Sequence, residues 1–283
     1  MQKIASGYGL VEAPVYDPSK GLFFSDVLNG GIYLLGPDDE VSLIVPKRRG
    51  VGGMALHEAG GLVAGGRDIS FIPLSGAAPK TWLSTADVPG STGFNDLTTD
   101  AKGRIYVGSL AFRVFGGDEP RPGLLHVIDL DGRARVVSDS VLLTNGLGFS
   151  PDGRRLYHSD ARAGLVRVYD VAADGSLSAW QSFAALGPDG VPDGLKVAAD
   201  GSVWVADAHG GRVAVFNADG THRRDLAVPL PMVTSLCFTG PDLKDLHIVT
   251  GSRDGPTENC GSIFRTRADV AGLPLPPARV AIS

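Results

Sequence analysis

The stretch Asn145-Gly146-Leu147-Gly148-Phe149-Ser150-Pro151-Asp152-Gly153-Arg154-Arg155-Leu156-Tyr157 decides the fold of this 283-residue chain. It opens on a polar residue, runs through apolar positions, turns at Asp-Gly and resumes as a strand. The phrase returns from Asp193-Gly194-Leu195 to Val203-Trp204-Val205, and from Asn95-Asp96-Leu97 to Ile105-Tyr106-Val107. Weaker copies begin at Glu12, Gly53 and Thr234. The six starts, at 12, 53, 95, 145, 193 and 234, are spaced by 41 to 50 residues. A period of ~40–50 residues carrying strand chemistry is that of a β-propeller, with one four-stranded blade per repeat. Within each copy the Asp-Gly or similar turn closes a tight hairpin. A second hairpin follows, as in Arg212-Val213-Ala214-Val215-Phe216-Asn217-Ala218-Asp219-Gly220-Thr221.

The expected fold is therefore all-β, a six-bladed β-propeller, with residues 1–283 forming a single domain. A TIM barrel of this size would need eight amphipathic helices between its strands, and no helical periodicity of useful length is present. The opening Lys3-Ile4-Ala5 and the tail Arg279-Val280-Ala281-Ile282 are expected to pair and close the last blade. The 39 glycines, about twice the ordinary share, suit a chain that turns this often.

Composition also removes several function classes. A net charge of −5 gives no electrostatic footprint for nucleic acid. No run approaches the ~18 apolar residues of a membrane span. Met1 to Gly9 lacks the apolar core of a signal peptide, so a cytoplasmic location is expected. Cys237 and Cys260 are too few for a disulfide framework.

The repeat has a geometric consequence. The residue opening each copy should lie at the mouth of an innermost strand, so Glu12, Gly53, Asn95, Asn145, Asp193 and Thr234 should converge on the central channel. Two carboxylates and two carboxamides around one axis form a ligand set for a single hard divalent cation, Ca2+ first, with Zn2+, Mn2+ or Mg2+ as alternatives. Without a cation the carboxylates would repel, and one would tend to take up a proton. Any one Asn-Gly or Asp-Gly could equally serve turn hydrogen bonds; four polar residues at equivalent positions favour a shared site. Other motifs are weak. His158-Ser159-Asp160 lies in a strand and alternates faces, so adjacency does not make it a triad. There is no Gly-x-Ser-x-Gly, Cys-x-x-Cys or His-Glu-x-x-His.

Taken together, these residues resemble the gluconolactonase / senescence-marker-protein (regucalcin) / luciferin-regenerating-enzyme family. The parts that carry the resemblance are Glu12-Ala13-Pro14-Val15-Tyr16-Asp17, Gly52-Gly53-Met54-Ala55, Gly66-Arg67-Asp68, Phe94-Asn95-Asp96, Asn145-Gly146-Leu147, Pro192-Asp193-Gly194-Leu195 and Ser252-Arg253-Asp254-Gly255. The resemblance implies a metal held by Glu12, Asn145 and Asp193, with Asn95 contacting the substrate or a water. It also implies that Asp193 acts as general base or nucleophile in opening a lactone.

Two departures bear on the substrate. Sugar-lactone members carry an Arg where this chain has Gly93, and the segment Leu110 to Gly117 lacks an expected acidic residue. A smaller or more apolar ester is favoured, with Phe112, Arg113 and Phe115 forming a lid that supplies aromatic surface and one guanidinium. His209 and Arg253 are further candidates at the same mouth. The expected partner is a small molecule, with neither nucleic acid nor membrane. Aryl-ester or organophosphate hydrolysis, a metal-assisted isomerase or lyase, and a non-catalytic calcium-binding propeller are the alternatives.

Overall fold

The computed structural model describes residues 1–282. Among these, 24 strands form six four-stranded antiparallel sheets, with no helix. The sheets follow one another around a ring as six propeller blades. The innermost strands are Val11–Asp17, Met54–His57, Gly93–Thr99, Thr144–Phe149, Pro192–Val197 and Val233–Thr239. They open the six sequence repeats in order.

Blades stack face to face, so their middle strands bury both faces and read as apolar runs rather than as alternation. Val203–Asp207, in blade five, is buried at every position, whereas the outer strand His222–Ala227 is largely exposed. The core is accordingly divided into six apolar clusters, one at each junction between neighbouring blades. At the junction of blades five and six, Trp204, Val213 and Val215 meet Leu236, Ile248 and Phe264. At that of blades two and three, Val63 and Ile69 meet Leu97 and Val107. Each such fully buried side chain contributes about 1.5–3 kcal/mol.

Ring closure differs from the sequence expectation in one respect. Gln2–Tyr8 does pair with Gly261–Arg267 as the outermost strand of blade six. The tail does not join it. Instead Leu273 N–H donates to Val197 O at 3.1 Å, Ala278 N–H to Leu56 O at 2.8 Å and Arg279 N–H to Gly103 O at 2.9 Å. Blades five and two face each other across the ring, so the chain between Leu273 and Ala278 crosses the axis. The Thr99 hydroxyl donates to Pro276 O, and His57 Nε2 lies 2.9 Å from Val280 O. Ala278 and Val280 are buried in the junction of blades two and three, where the tail's apolar residues find more surface to cover than an edge strand offers. The tail therefore runs across the ring at the C-terminal ends of the inner strands, away from the residues that open them.

Candidate active site at the channel mouth

Five of the inner strands lose their regular register near their start, one of them at Thr234, between Val233 and Ser235. In the other four the irregularities fall between Glu12 and Val15, Phe94 and Leu97, Thr144 and Leu147, and Pro192 and Leu195. Such bulges bend a strand and re-aim a side chain. Here they fall on Glu12, Asn95, Asn145 and Asp193, all four of which line one cavity of about 920 Å³ open to solvent. Close strand approach at this level requires glycine beside the site residues. A Cβ on Gly146 would lie 2.2 Å from Leu195 N and 2.7 Å from Asp193 O, and one on Gly194 would lie 2.2 Å from Ser235 Oγ.

The six expected residues do not all converge. Gly53 has no side chain to offer and sits where a Cβ would meet Leu97 N at 2.4 Å. Thr234 is fully buried, and its hydroxyl donates to Val11 O at 2.5 Å, which ties blade six to blade one. The remaining four form the floor. Asn95 Nδ2 donates to Thr144 O at 2.7 Å and also to Asn145 Oδ1. Thr144 is fixed in turn by His158, whose Nε2 lies 2.7 Å from Thr144 Oγ1. His158 thus takes part in a buried structural bond.

The carboxylates are strained electrostatically. Burial, then the charges of Asp193 and Asp96, hold the Glu12 carboxyl well above the usual carboxylate range. Burial and Asp96 do the same to Asp193, partly offset by the Arg253 guanidinium. Asp96, which the sequence reading passed over, is itself buried. Burial lifts it to about 6, against the pull of Lys196 and a 2.7 Å hydrogen bond from Leu97 N–H. A cation on this floor would remove the repulsion. Glu12, Asn145 and Asp193 offer only oxygen donors, the chemistry that suits a hard divalent ion. The residues present therefore fit the group that the sequence implied.

Three further buried aspartates carry the scaffold of this site. Asp26 accepts from Gly9 N–H at 2.9 Å and Leu10 N–H at 3.2 Å, which lead into Glu12. Asp160 accepts from Leu142 and Leu143 N–H at 3.1 and 3.0 Å, which lead into Asn145. Asp207 accepts from Val191 N–H at 3.0 Å, two residues before Asp193. Each brace ends the second strand of its blade. No such carboxylate ends the corresponding strand of blade three, Ile105–Leu110, so Asn95 lacks one. The signal was present in the sequence as an Asp 14, 15 and 14 residues after Glu12, Asn145 and Asp193.

Phe115 lines the cavity and is 63% exposed, whereas Phe112 is buried in the wall. Arg113 is engaged by its neighbour: Nη2 reaches Asp118 Oδ1 at 2.7 Å and Nε reaches Oδ2 at 3.0 Å, which holds the Asp118 carboxyl down at about 2. His209 and Arg253 both line the mouth.

The chain matches the family model described as SMP-30/Gluconolactonase/LRE-like region over residues 10–252. It is 30% identical to the pentonolactonase XacC of Haloferax volcanii over 279 residues, covering 94% of this chain and 93% of that protein. It is 29% identical to a 6-deoxy-6-sulfogluconolactonase of Pseudomonas putida over 280 residues, with 94% of each covered. In structure it is similar to a luciferin-regenerating enzyme, with a TM-score of 0.89, 21% identity and 99% of both chains covered. It is similar also to a calcium-binding protein, regucalcin, from Agrobacterium tumefaciens, with a TM-score of 0.87, 20% identity and 99% and 97% covered. The match over residues 10–252, with the propeller fold it shares, makes this chain a member of the SMP-30/gluconolactonase/LRE-like family.

Proposed function

We propose that this protein is a divalent-metal-dependent lactonase that opens a cyclic ester by addition of water. The observation that carries the reading is the pair of mutually repelling carboxylates, Glu12 and Asp193, sharing the cavity floor with Asn95 and Asn145. Relatives at 29–30% identity over nearly the whole chain bear lactonase names, which supports the lactone as substrate class.

In this reading Glu12, Asn145 and Asp193 hold one cation, Ca2+ in the first instance. When bound it supplies Lewis-acid polarisation of the ester carbonyl. Asn95 holds Asn145 by the amide-to-amide bond, which keeps the floor rigid while substrate enters and leaves. Asp193 accepts a proton from the attacking water as its oxygen joins the carbonyl carbon. It returns the proton to the ring oxygen as the ring C–O bond breaks, so the product is a hydroxy acid.

The test is hydrolysis of a lactone panel before chelation, after chelation and after restoring Ca2+, with Asp193→Ala alongside. Activity lost on chelation, restored by metal and absent from Asp193→Ala supports the reading. Full activity of chelated Asp193→Ala overturns it.

A further inference from the structure

The rim of the cavity is electrostatically lopsided. On the side of blades one and three the wall is apolar, with Leu10, Val27, Leu110 and Phe112. The cation there, Arg113, is neutralised by Asp118. The opposite side, formed by the loops of blades four, five and six, presents Arg162, His209 and Arg253. Arg162 makes no ion pair or hydrogen bond among the described residues, and nor does the His209 ring. Arg253 reaches over blade five, its Nη2 donating to Ala208 O at 3.3 Å, and its carboxylate contact is a loose 3.8 Å to the adjacent Asp254. The loops converge: a Cβ on Gly164, two residues after Arg162, would lie 3.6 Å from Gly190 O in the blade-five loop above Asp193. Asp189 is the carboxylate that lines this part of the rim.

The unpartnered guanidinium of Arg162 beside the loosely held one of Arg253, on one side of the cavity, forms a recognition element for an anion. We propose that the preferred substrate is a lactone bearing a carboxylate or another fixed negative charge, held by Arg253 with Arg162 while its ring lies over the floor and its apolar edge faces Leu110 and Phe112. This rests on the lactonase reading and adds the chemical class of its substrate. The arginines orient the lactone without entering the bond-making steps, so their effect belongs in KM. The cavity is large enough for such an extended ligand, at about 920 Å³.

The experiment compares two substrates on the holoenzyme: a neutral six-membered aldonolactone, and the same ring with a carboxylate in place of its terminal hydroxymethyl. Rates are measured for wild type, Arg253→Gln and Arg162→Gln, at low and at high ionic strength. The expected result is at least a ten-fold advantage in kcat/KM for the charged lactone, expressed mainly in KM. High salt should shrink that advantage. Arg253→Gln should collapse the ratio between the two substrates, and Arg162→Gln should reduce it. A merely structural role for either arginine would lower both rates alike and leave the ratio in place, which overturns the proposal. Equal use of both lactones by wild type also overturns it while leaving the lactonase reading standing. Turnover of neither lactone refutes the lactonase reading itself, and this inference falls with it.

Discussion

Replacing Asp96 by Asn should make the metal-free protein more stable, and by an amount that depends on pH. Asp96 is 7% exposed, and its one hydrogen bond is the 2.7 Å contact from Leu97 N–H, which an Asn oxygen can still accept. Burial raises its carboxyl from 3.8 to about 6. At about 1.4 kcal/mol for each pH unit between the two values, the ionised group costs the fold roughly 3 kcal/mol. The sign follows from the direction. Below about pH 4 the group is protonated folded and unfolded, so it costs nothing. Between about 4 and 6 the folded state retains a proton that the unfolded chain has lost, and stability falls as pH rises. Above about 6 the full cost is present. Asp96→Asn should therefore gain about 1 kcal/mol at pH 4.5 and roughly 3 kcal/mol at pH 7.5, a difference readable by urea unfolding in the presence of chelator. Its charge also raises Glu12 and Asp193, so their repulsion is relieved in the same direction. A variant less stable than wild type at pH 7.5, or one whose gain is the same at both pH values, would refute the reasoning.

Other perturbations test the scaffold. Gly146→Ala places a Cβ 2.2 Å from Leu195 N, so the inner strands of blades four and five must part; thermal unfolding should show a loss of about 3 kcal/mol, with weaker Ca2+ binding. Asp207→Asn loosens the backbone leading into Asp193 while Arg212 stays within reach of Asp225 at 2.8 Å. Calorimetry should show Ca2+ affinity falling about ten-fold with the fold intact, and unchanged affinity would remove the brace from the account. Deleting residues 272–283 strips Ala278 and Val280 from the core and frees Thr99 and His57. A stability loss of about 5 kcal/mol is expected in urea unfolding, and an unchanged midpoint would contradict the role given to the tail.

The fold was legible because propeller blades repeat, and each repeat spells out an inner strand, a turn and a second strand in order. Asn145-Gly146 and Asp193-Gly194 stood out because they open equivalent copies of the repeat, each with a glycine where the neighbouring inner strand comes close. What stayed hidden depends on distance in sequence. The tail's path could not be read from Arg279-Val280-Ala281-Ile282, since an alternating apolar segment suits an edge strand and a strap across the ring equally. Thr234 occupies an equivalent position in the repeat, yet its small hydroxyl is consumed by Val11 O. Arg113 looked available until folding brought Asp118 against it, five residues on. The braces Asp26, Asp160 and Asp207 were visible as a spacing, but a second repeat laid over the first is easily taken for ordinary strand ends.

The most direct measurement is a calorimetric titration of chelator-stripped protein with Ca2+, set beside the double variant Glu12→Gln, Asp193→Asn. One equivalent bound per chain by wild type, and none by the variant despite an intact fold, is the expected result. No binding by wild type, or the same binding by both proteins, would contradict the assignment of Glu12, Asn145 and Asp193 as the cation's ligands.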